Sequence, residues 1–304
     1  MRAVWSFWSK PFKAYKKRVW REPQHHLLAW GLSLRLARQH FDSTMLVTDT
    51  AGKSMLVDEL GLEFDEVSTD LDQLRNADTG WWALGKLFAY SIQDHPFVHI
   101  DTDVFLWKAL PPSLTSAAVF AQCPEQHPLE NAWCGPRHIE YLFDRHKLSL
   151  PVEWQWASSR NTTWFREENC GFLGANRVDF IRHYAQAAIR MVNDPANRGL
   201  WAEVPDKSGF NMLIEQFLLA CCLDYHRIDP KSAYRGVNIR YLFPTWSEAY
   251  NSHATSRVGY THLLGDAKTH PQVAARLERR VAQLDPTFFR HCQRIAQSAA
   301  IVGV

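Results

Sequence analysis

The chain has 304 residues, 46% hydrophobic and 22% charged, a balance that fits a globular protein with a substantial core and excludes a disordered or collagen-like chain. Its 34 lysines and arginines nearly cancel 32 aspartates and glutamates, so net charge supplies no reason to expect nucleic acid as a partner. A basic cluster near the start (Lys10, Lys13, Lys16, Lys17, Arg18, Arg21) reads as a solvated face or an anionic-substrate rim. Six cysteines, none in a Cys-x-x-Cys pair, predict reduced thiols in a cytoplasmic protein. The opening residues lack the pattern of a signal peptide, and no apolar run reaches membrane-spanning length.

In chain order, Ala3 to Phe7 predicts a first strand and Gln24 to His40 a helix, because Leu27, Trp30, Leu34, Ala37 and Phe41 recur at three and four residues. Met45 to Thr48 predicts a second strand, Lys53 to Leu60 a short helix stopped by Gly61, and Phe64 to Val67 a third strand. Trp81, Leu84, Leu87, Phe88 and Ser91 form a helical stripe that closes at His95-Pro96. This alternation predicts an α/β fold with a doubly wound, mostly parallel sheet flanked by helices, in one large domain.

Residues 123–168, rich in proline and tryptophan, read as an irregular insertion with one helix at Pro136 to Lys147. The asparagine of Asn161-Thr162-Thr163 is a sequon that means little without secretion. Beyond it come predicted helices at Arg177 to Met191 and Ser208 to Leu223, the latter with Ser208 as N-cap. Strands are predicted around Tyr225 to Ile228, Val237 to Phe243 and Tyr260 to Leu264, then a helix at Pro271 to Leu284.

FVHIDTDVFLW, residues 97–107, raises the chemical question. Asp101 and Asp103 stand one residue apart at the end of an apolar strand, where ligands of such sheets gather. Two carboxylates aimed the same way repel unless a positive charge lies between them. A hard divalent cation, Mn²⁺ or Mg²⁺, is the simplest such charge; pairing with arginines is the alternative. Chance alone supplies about one Asp-x-Asp in such a chain, and a second, Asp70-Leu71-Asp72, lies in a polar stretch that explains it as solvated. A further cluster is His262, Gly265 and Lys268 in HLLGDAK: an imidazole that can ligate a metal, a glycine that admits backbone near a phosphate, and a lysine that neutralises it.

In this order the elements resemble glycosyltransferases of the GT-A fold, most of all the retaining family of glycogenin and bacterial lipopolysaccharide galactosyltransferases. Lys86 in WALGKLFAY precedes Asp101-Thr102-Asp103; Asn169 and Gly171 follow in NCGFLGAN; Glu215-Gln216 lies on a helix; His-x-x-Gly-x-x-Lys comes last. The resemblance implies transfer of a hexose from a nucleotide sugar, with UDP as nucleotide, to a glycan, peptide or protein. It implies Asp101, Asp103 and His262 as metal ligands and Thr102, Gly265 and Lys268 on the donor, with Lys86 adding charge. Asn169, Gly171 and Glu215 would line the sugar, and Gln216 would face the anomeric carbon. Trp5, Ser6, Thr48 and Asp49 fall where nucleobase contacts are expected. Residues 1–121 would be the nucleotide-sugar half and 122–304 the acceptor half, where Trp133, Trp154 and Trp156 could stack on an acceptor. Two departures stand out: Glu215 replaces the family's aspartate, and Thr269-His270-Pro271 replaces its Pro-Trp. A silent sugar- or nucleotide-binding module of the same fold, and a metal-dependent phosphohydrolase, are the other readings.

Overall fold

The computed structural model describes residues 1–14, 19–130, 135–160 and 162–302; Lys16, Lys17, Arg18, Trp133 and Asn161 lie outside them. Among the described residues eleven strands run β1 (Arg2–Phe7), β2 (Ser43–Thr48), β3 (Glu66–Ser68), β4 (Phe97–Ile100), β5 (Val104–Leu106), β6 (Val119–Ala121), β7 (Pro124–Pro128), β8 (Trp164–Glu168), β9 (Phe172–Ala175), β10 (Ile239–Tyr241) and β11 (Tyr260–His262). The longer helices are α1 (Pro23–Ala37), α2 (Leu84–Ser91), α3 (Pro136–Arg145), α4 (Val152–Ser158), α5 (Val178–Asn193), α6 (Leu218–Ile228), α7 (Pro271–Leu284) and α8 (Pro286–Val302). The central sheet is mixed and mostly parallel, seven strands in the order β10-β6-β9-β4-β1-β2-β3. Two small antiparallel pairs, β11-β5 and β7-β8, complete the strands. No helix among the described residues is long and apolar enough to cross a membrane.

One compact unit comprises Met1–Asp72, Ile100–Leu110 and Ser252–Val304. Its parallel β1-β2 pairing sets Trp5 opposite Leu46 and Phe7 opposite Thr48, burying both strands in near-continuous apolar runs, as parallel strands covered on both faces require. Helix α1 opens where Pro23 occupies the first turn and Glu22 caps, its backbone N–H donating to His25 Nδ1 at 3.0 Å. Gln24 and His25 meet Glu278 of α7 at 2.6 and 2.9 Å, and Arg35 meets Asp285 at 2.7 Å. The 3-10 segment Gly265–Thr269 precedes α7.

The second unit comprises Gln73–His99 and Pro111–Asn251. Here β6 pairs parallel with β10 and antiparallel with β9, and a π-helical turn at Leu213–Phe217 leads into α6.

Several expectations are corrected. Tyr225 to Ile228 is the end of α6 rather than a strand, because Leu219, Cys222 and His226 keep the three-and-four-residue buried spacing of a helix through that stretch. The supposed irregular insertion holds α3, α4 and a β7-β8 ladder in which Glu125 pairs Glu167; prolines at both ends of β7 and the long loop to its partner hid it. Ser208 caps nothing by its side chain: helical structure starts at Phe210 behind Gly209. Strand β4 stops at Ile100, just before the acid pair as its place at a strand end requires, and β5 belongs to another pair. Helix α8 had no counterpart in the sequence reading.

Candidate active site

The break in the apolar run builds the site. After β4 the Asp101 carbonyl accepts the Val104 N–H at 3.0 Å and the Ser33 hydroxyl at 3.5 Å, so Asp101-Thr102-Asp103 turns instead of extending. Strand β5 then pairs antiparallel with β11, register Val104 to His262, and the Leu263 N–H donates to the Asp103 carbonyl at 3.0 Å. That ladder carries an imidazole from far along the chain to the acid pair. His262 Nε2 lies 3.5 Å from Asp103 Oδ1, and ligand atoms of Asp101, Asp103 and His262 all fall within 4.8 Å of one another. Gly259, at φ +74, sits where the helix Ser252–Val258 gives way to β11, a left-handed conformation that glycine adopts without strain.

Gly265, at φ +48, opens the turn that delivers Lys268. Lys268 Nζ is 2.5 Å from Asp103 Oδ2 and 5.9 Å from the Trp20 ring centre, and its carbonyl accepts the Arg21 N–H at 3.2 Å. Burial pushes the Asp103 carboxyl up, but the charges of His262 and Lys268 outweigh it and hold Asp103 below the usual carboxylate range. Burial, with the Lys268 charge, lowers the neighbouring His26 to about 4 against a smaller opposing effect of Asp103. The neutral His26 ring accepts the Trp30 indole N–H at 3.1 Å on Nε2 and leaves Nδ1 buried without a hydrogen-bond partner. Two carboxylates and one imidazole form the mostly oxygen donor set that suits a hard divalent ion such as Mn²⁺ or Mg²⁺. Lys268 would have to yield its hold on Asp103 for the set to close.

In the second unit, Lys86 on α2 and Glu215 on the π-helical turn form an ion pair at 2.6 Å. Lys86 also donates to the Cys170 carbonyl at 3.2 Å, and the Tyr90 hydroxyl donates to Glu215 Oε1 at 3.3 Å. Glu215 has no exposed surface, and its Oε2 and the Oε1 of Gln216 are buried without hydrogen-bond partners. Such orphaned acceptors on a π-helical turn are uncommon outside functional sites. Gln216 Nε2 reaches only the Met212 sulfur, at 3.7 Å. Asn169 donates to Glu125 of β7 at 2.7 Å and accepts the Gly171 N–H of its own loop at 3.0 Å.

Three of the residues expected at the nucleobase have their side chains turned into the interior. Trp5 is wholly buried, with its indole N–H donating to Ser33 at 3.1 Å, because β1 is covered on both faces. Thr48 is equally buried and donates to the Phe7 carbonyl at 2.6 Å. Asp49 caps the turn at Thr50–Lys53, accepting the Gly52 N–H at 2.7 Å and the Ser9 hydroxyl at 2.7 Å. Only Ser6 of that set is more than marginally exposed. Trp154 is core, donating to Glu140 at 3.2 Å, while Trp156 lies under the Arg160 guanidinium at 4.9 Å. Asp72 of the second Asp-x-Asp takes the Thr50 N–H and hydroxyl at 2.9 and 2.6 Å.

Two further groups escaped the sequence reading: Glu125-His127-Glu167 on the β7-β8 ladder and Glu153-His183-His226 on three helices. Glu-Gln-His at alternate positions 125 and 127 was the available signal for the first. The Glu125 and Glu167 carboxylates, 3.8 and 3.2 Å from His127 Nε2, raise its proton affinity to about 9, which favours a charged imidazole at neutral pH.

The model of a family of unknown function, DUF6734, matches residues 1–295. No curated protein matches the chain. Among solved structures, the galactosyltransferase LgtC in complex with donor and acceptor sugar analogues is similar, with 14% identity and TM-score 0.42 over 93% of this chain and 96% of that one. An active-site mutant of LgtC has 14% identity and TM-score 0.43 over the same shares. Mouse xyloside xylosyltransferase 1, apo form, has 12% identity and TM-score 0.34 over 86% of this chain and 96% of that one. Those values assign no residue.

Proposed function

We propose that this chain, which belongs to the DUF6734 family, is a metal-dependent glycosyltransferase that takes a hexose from a nucleotide sugar, with UDP the expected nucleotide. The observation that carries the reading is the meeting of Asp103 with His262 and Lys268 at 3.5 and 2.5 Å. Residues far apart in sequence, singled out there for metal and phosphate chemistry, converge on one carboxylate.

Asp101, Asp103 and His262 would hold Mn²⁺ or Mg²⁺, which as a Lewis acid lowers the cost of charge building on a departing diphosphate. Lys268 carries a fixed positive charge in the same place, where preorganised charge is worth most. The left-handed Gly265 backbone leaves open space where a side chain would stand, which lets a phosphate approach the turn. Neutral His26 adds a hydrogen-bonding ring to that wall without adding charge. Within the same reading Glu215, Asn169 and Gly171 serve the sugar, Gln216 the anomeric carbon with retention, Lys86 the charge beside Glu215, and a glycan, peptide or protein is the acceptor. Lys86 pairs with the buried Glu215 at 2.6 Å, and a carboxylate there offers acceptors to hydroxyl groups.

A donor screen that follows nucleoside diphosphate release, with Mn²⁺ and with EDTA, tests the reading. Metal-dependent release from a UDP-sugar is expected, abolished in Asp103→Ala with the fold intact. Donor binding without turnover would instead indicate a silent binding module, and hydrolysis of simple phosphate esters would indicate a phosphohydrolase.

A further inference from the structure

The second unit contains a histidine-rich cluster that the proposed sugar transfer does not use. Glu153 lies in the first turn of α4, His183 on α5 and His226 near the end of α6. Their side chains aim three ligand atoms at one point: Glu153 Oε1 is 2.7 Å from His183 Nε2 and 3.2 Å from His226 Nε2, and the two imidazole nitrogens are 3.2 Å apart. We propose that Glu153, His183 and His226 form a second metal site, one for a borderline divalent ion of the zinc type, which ties three helices together.

Three features support it. Ligand atoms about 2.0 to 2.1 Å from a tetrahedral zinc stand roughly 3.3 Å from one another; two of the three spacings here already match, and the third is a hydrogen bond that the ion would replace. A pair of imidazole nitrogens 3.2 Å apart, both also facing one carboxylate oxygen, is a donor arrangement that a cation satisfies better than shared protons do. The outer partner is also in place: Ser232 meets His226 Nδ1 at 2.7 Å and its hydroxyl accepts the Tyr234 N–H at 2.9 Å. That bond orients the ring with Nε2 toward the cluster, as the second hydrogen bond of a metal-bound histidine does.

Burial fits the assignment as well. The Glu153 and His226 side chains are 3% and 9% exposed, while His183 keeps 29%, which gives an entry path and room for a water as fourth ligand. Two imidazoles and one carboxylate select zinc over the harder ion expected at Asp101 and Asp103, so the two sites take different metals.

The test uses the untagged full chain carrying Asp103→Ala, which removes the acidic site from the count. After stripping with EDTA, Zn²⁺ is titrated calorimetrically, and Co²⁺ is added as a spectroscopic probe. One equivalent of Zn²⁺ at submicromolar Kd, a tetrahedral Co²⁺ absorption spectrum and a rise in Tm with Zn²⁺ are expected. His183→Ala, at the partly exposed ligand, should weaken Zn²⁺ at least 100-fold and abolish the Tm rise while the far-ultraviolet dichroism stays unchanged; His226→Gln should do the same. No Zn²⁺ bound at tenfold excess, or one equivalent bound equally well by His183→Ala, would overturn the proposal. Neither result bears on donor turnover.

Discussion

Replacing Lys86 with methionine isolates the most consequential buried charge pair in the second unit. Glu215 has no exposed surface and Lys86 Nζ stands 2.6 Å from its carboxylate, itself only 12% exposed. Lys86→Met keeps the stem and removes the charge, leaving a carboxylate that must stay charged without its cation or take up a proton. Staying charged after loss of a buried partner costs about 3 to 5 kcal/mol. Protonation is the escape: an ordinary glutamate titrates near pH 4.3, so protonating one at pH 7 costs about 3.7 kcal/mol and at pH 5 about 1 kcal/mol. The cheaper route therefore caps the loss. Urea unfolding of Lys86→Met against the parent should show a deficit of about 3.7 kcal/mol at pH 7 that shrinks to about 1 kcal/mol at pH 5. The double variant Lys86→Met/Glu215→Met should recover most of the stability, because both charges leave together. A deficit that is the same at both pH values, or below about 1 kcal/mol at pH 7, would show that the pair is not the buried, mutually dependent unit described here.

His262→Ala should weaken metal or donor binding about 10- to 100-fold, less completely than Asp103→Ala; wild-type affinity for both would remove the imidazole from the site. His127 has its proton affinity raised to about 9 by Glu125 and Glu167. A raised folded value means the stabilisation is complete below the ordinary histidine value near 6.5 and is lost as pH climbs through about 9. Tm should therefore fall between pH 7 and pH 10 in the parent and fall less in His127→Gln; parallel curves would contradict the cluster. Gly31 on α1 faces the Phe288 ring so closely that an added Cβ would stand 2.1 Å from it. Gly31→Ala gains about 1 kcal/mol of helix propensity and loses about 1 to 3 kcal/mol by overpacking, so chemical denaturation should show a net loss, and a gain in stability would refute the close approach.

How much of this was legible beforehand depended on how local the signal was. Helix α7 coincides with the reading from periodicity, and β1, β2 and α1 fall within a few residues of it, because their apolar spacing declares them. The separate strand Val104–Leu106 was not legible, since it is as apolar as β4 and only pairing with β11, over 150 residues later, distinguishes it. That same pairing could not be read from spacing, yet it brings His262 to Asp103. The residue types at Asp101, Asp103, His262 and Lys268 were visible as chemistry; their meeting was implied by the family resemblance and not by spacing. The side chains of Trp5, Thr48 and Asp49 show the converse. These residues stand at the right place in the chain, but parallel pairing with β2, cover on both faces of β1 and a capping role turn their side chains into the interior. Glu153, His183 and His226 lie on three separate helices, a grouping that only tertiary packing reveals.

The most direct test of the acid-imidazole centre is calorimetric titration of UDP into the chain with and without Mn²⁺, repeated in Asp103→Asn, which preserves volume and removes charge. The account predicts UDP binding that requires Mn²⁺ in the parent and disappears in Asp103→Asn. Equal UDP affinity with EDTA present, or an Asp103→Asn protein that binds UDP and Mn²⁺ as the parent does, would contradict it.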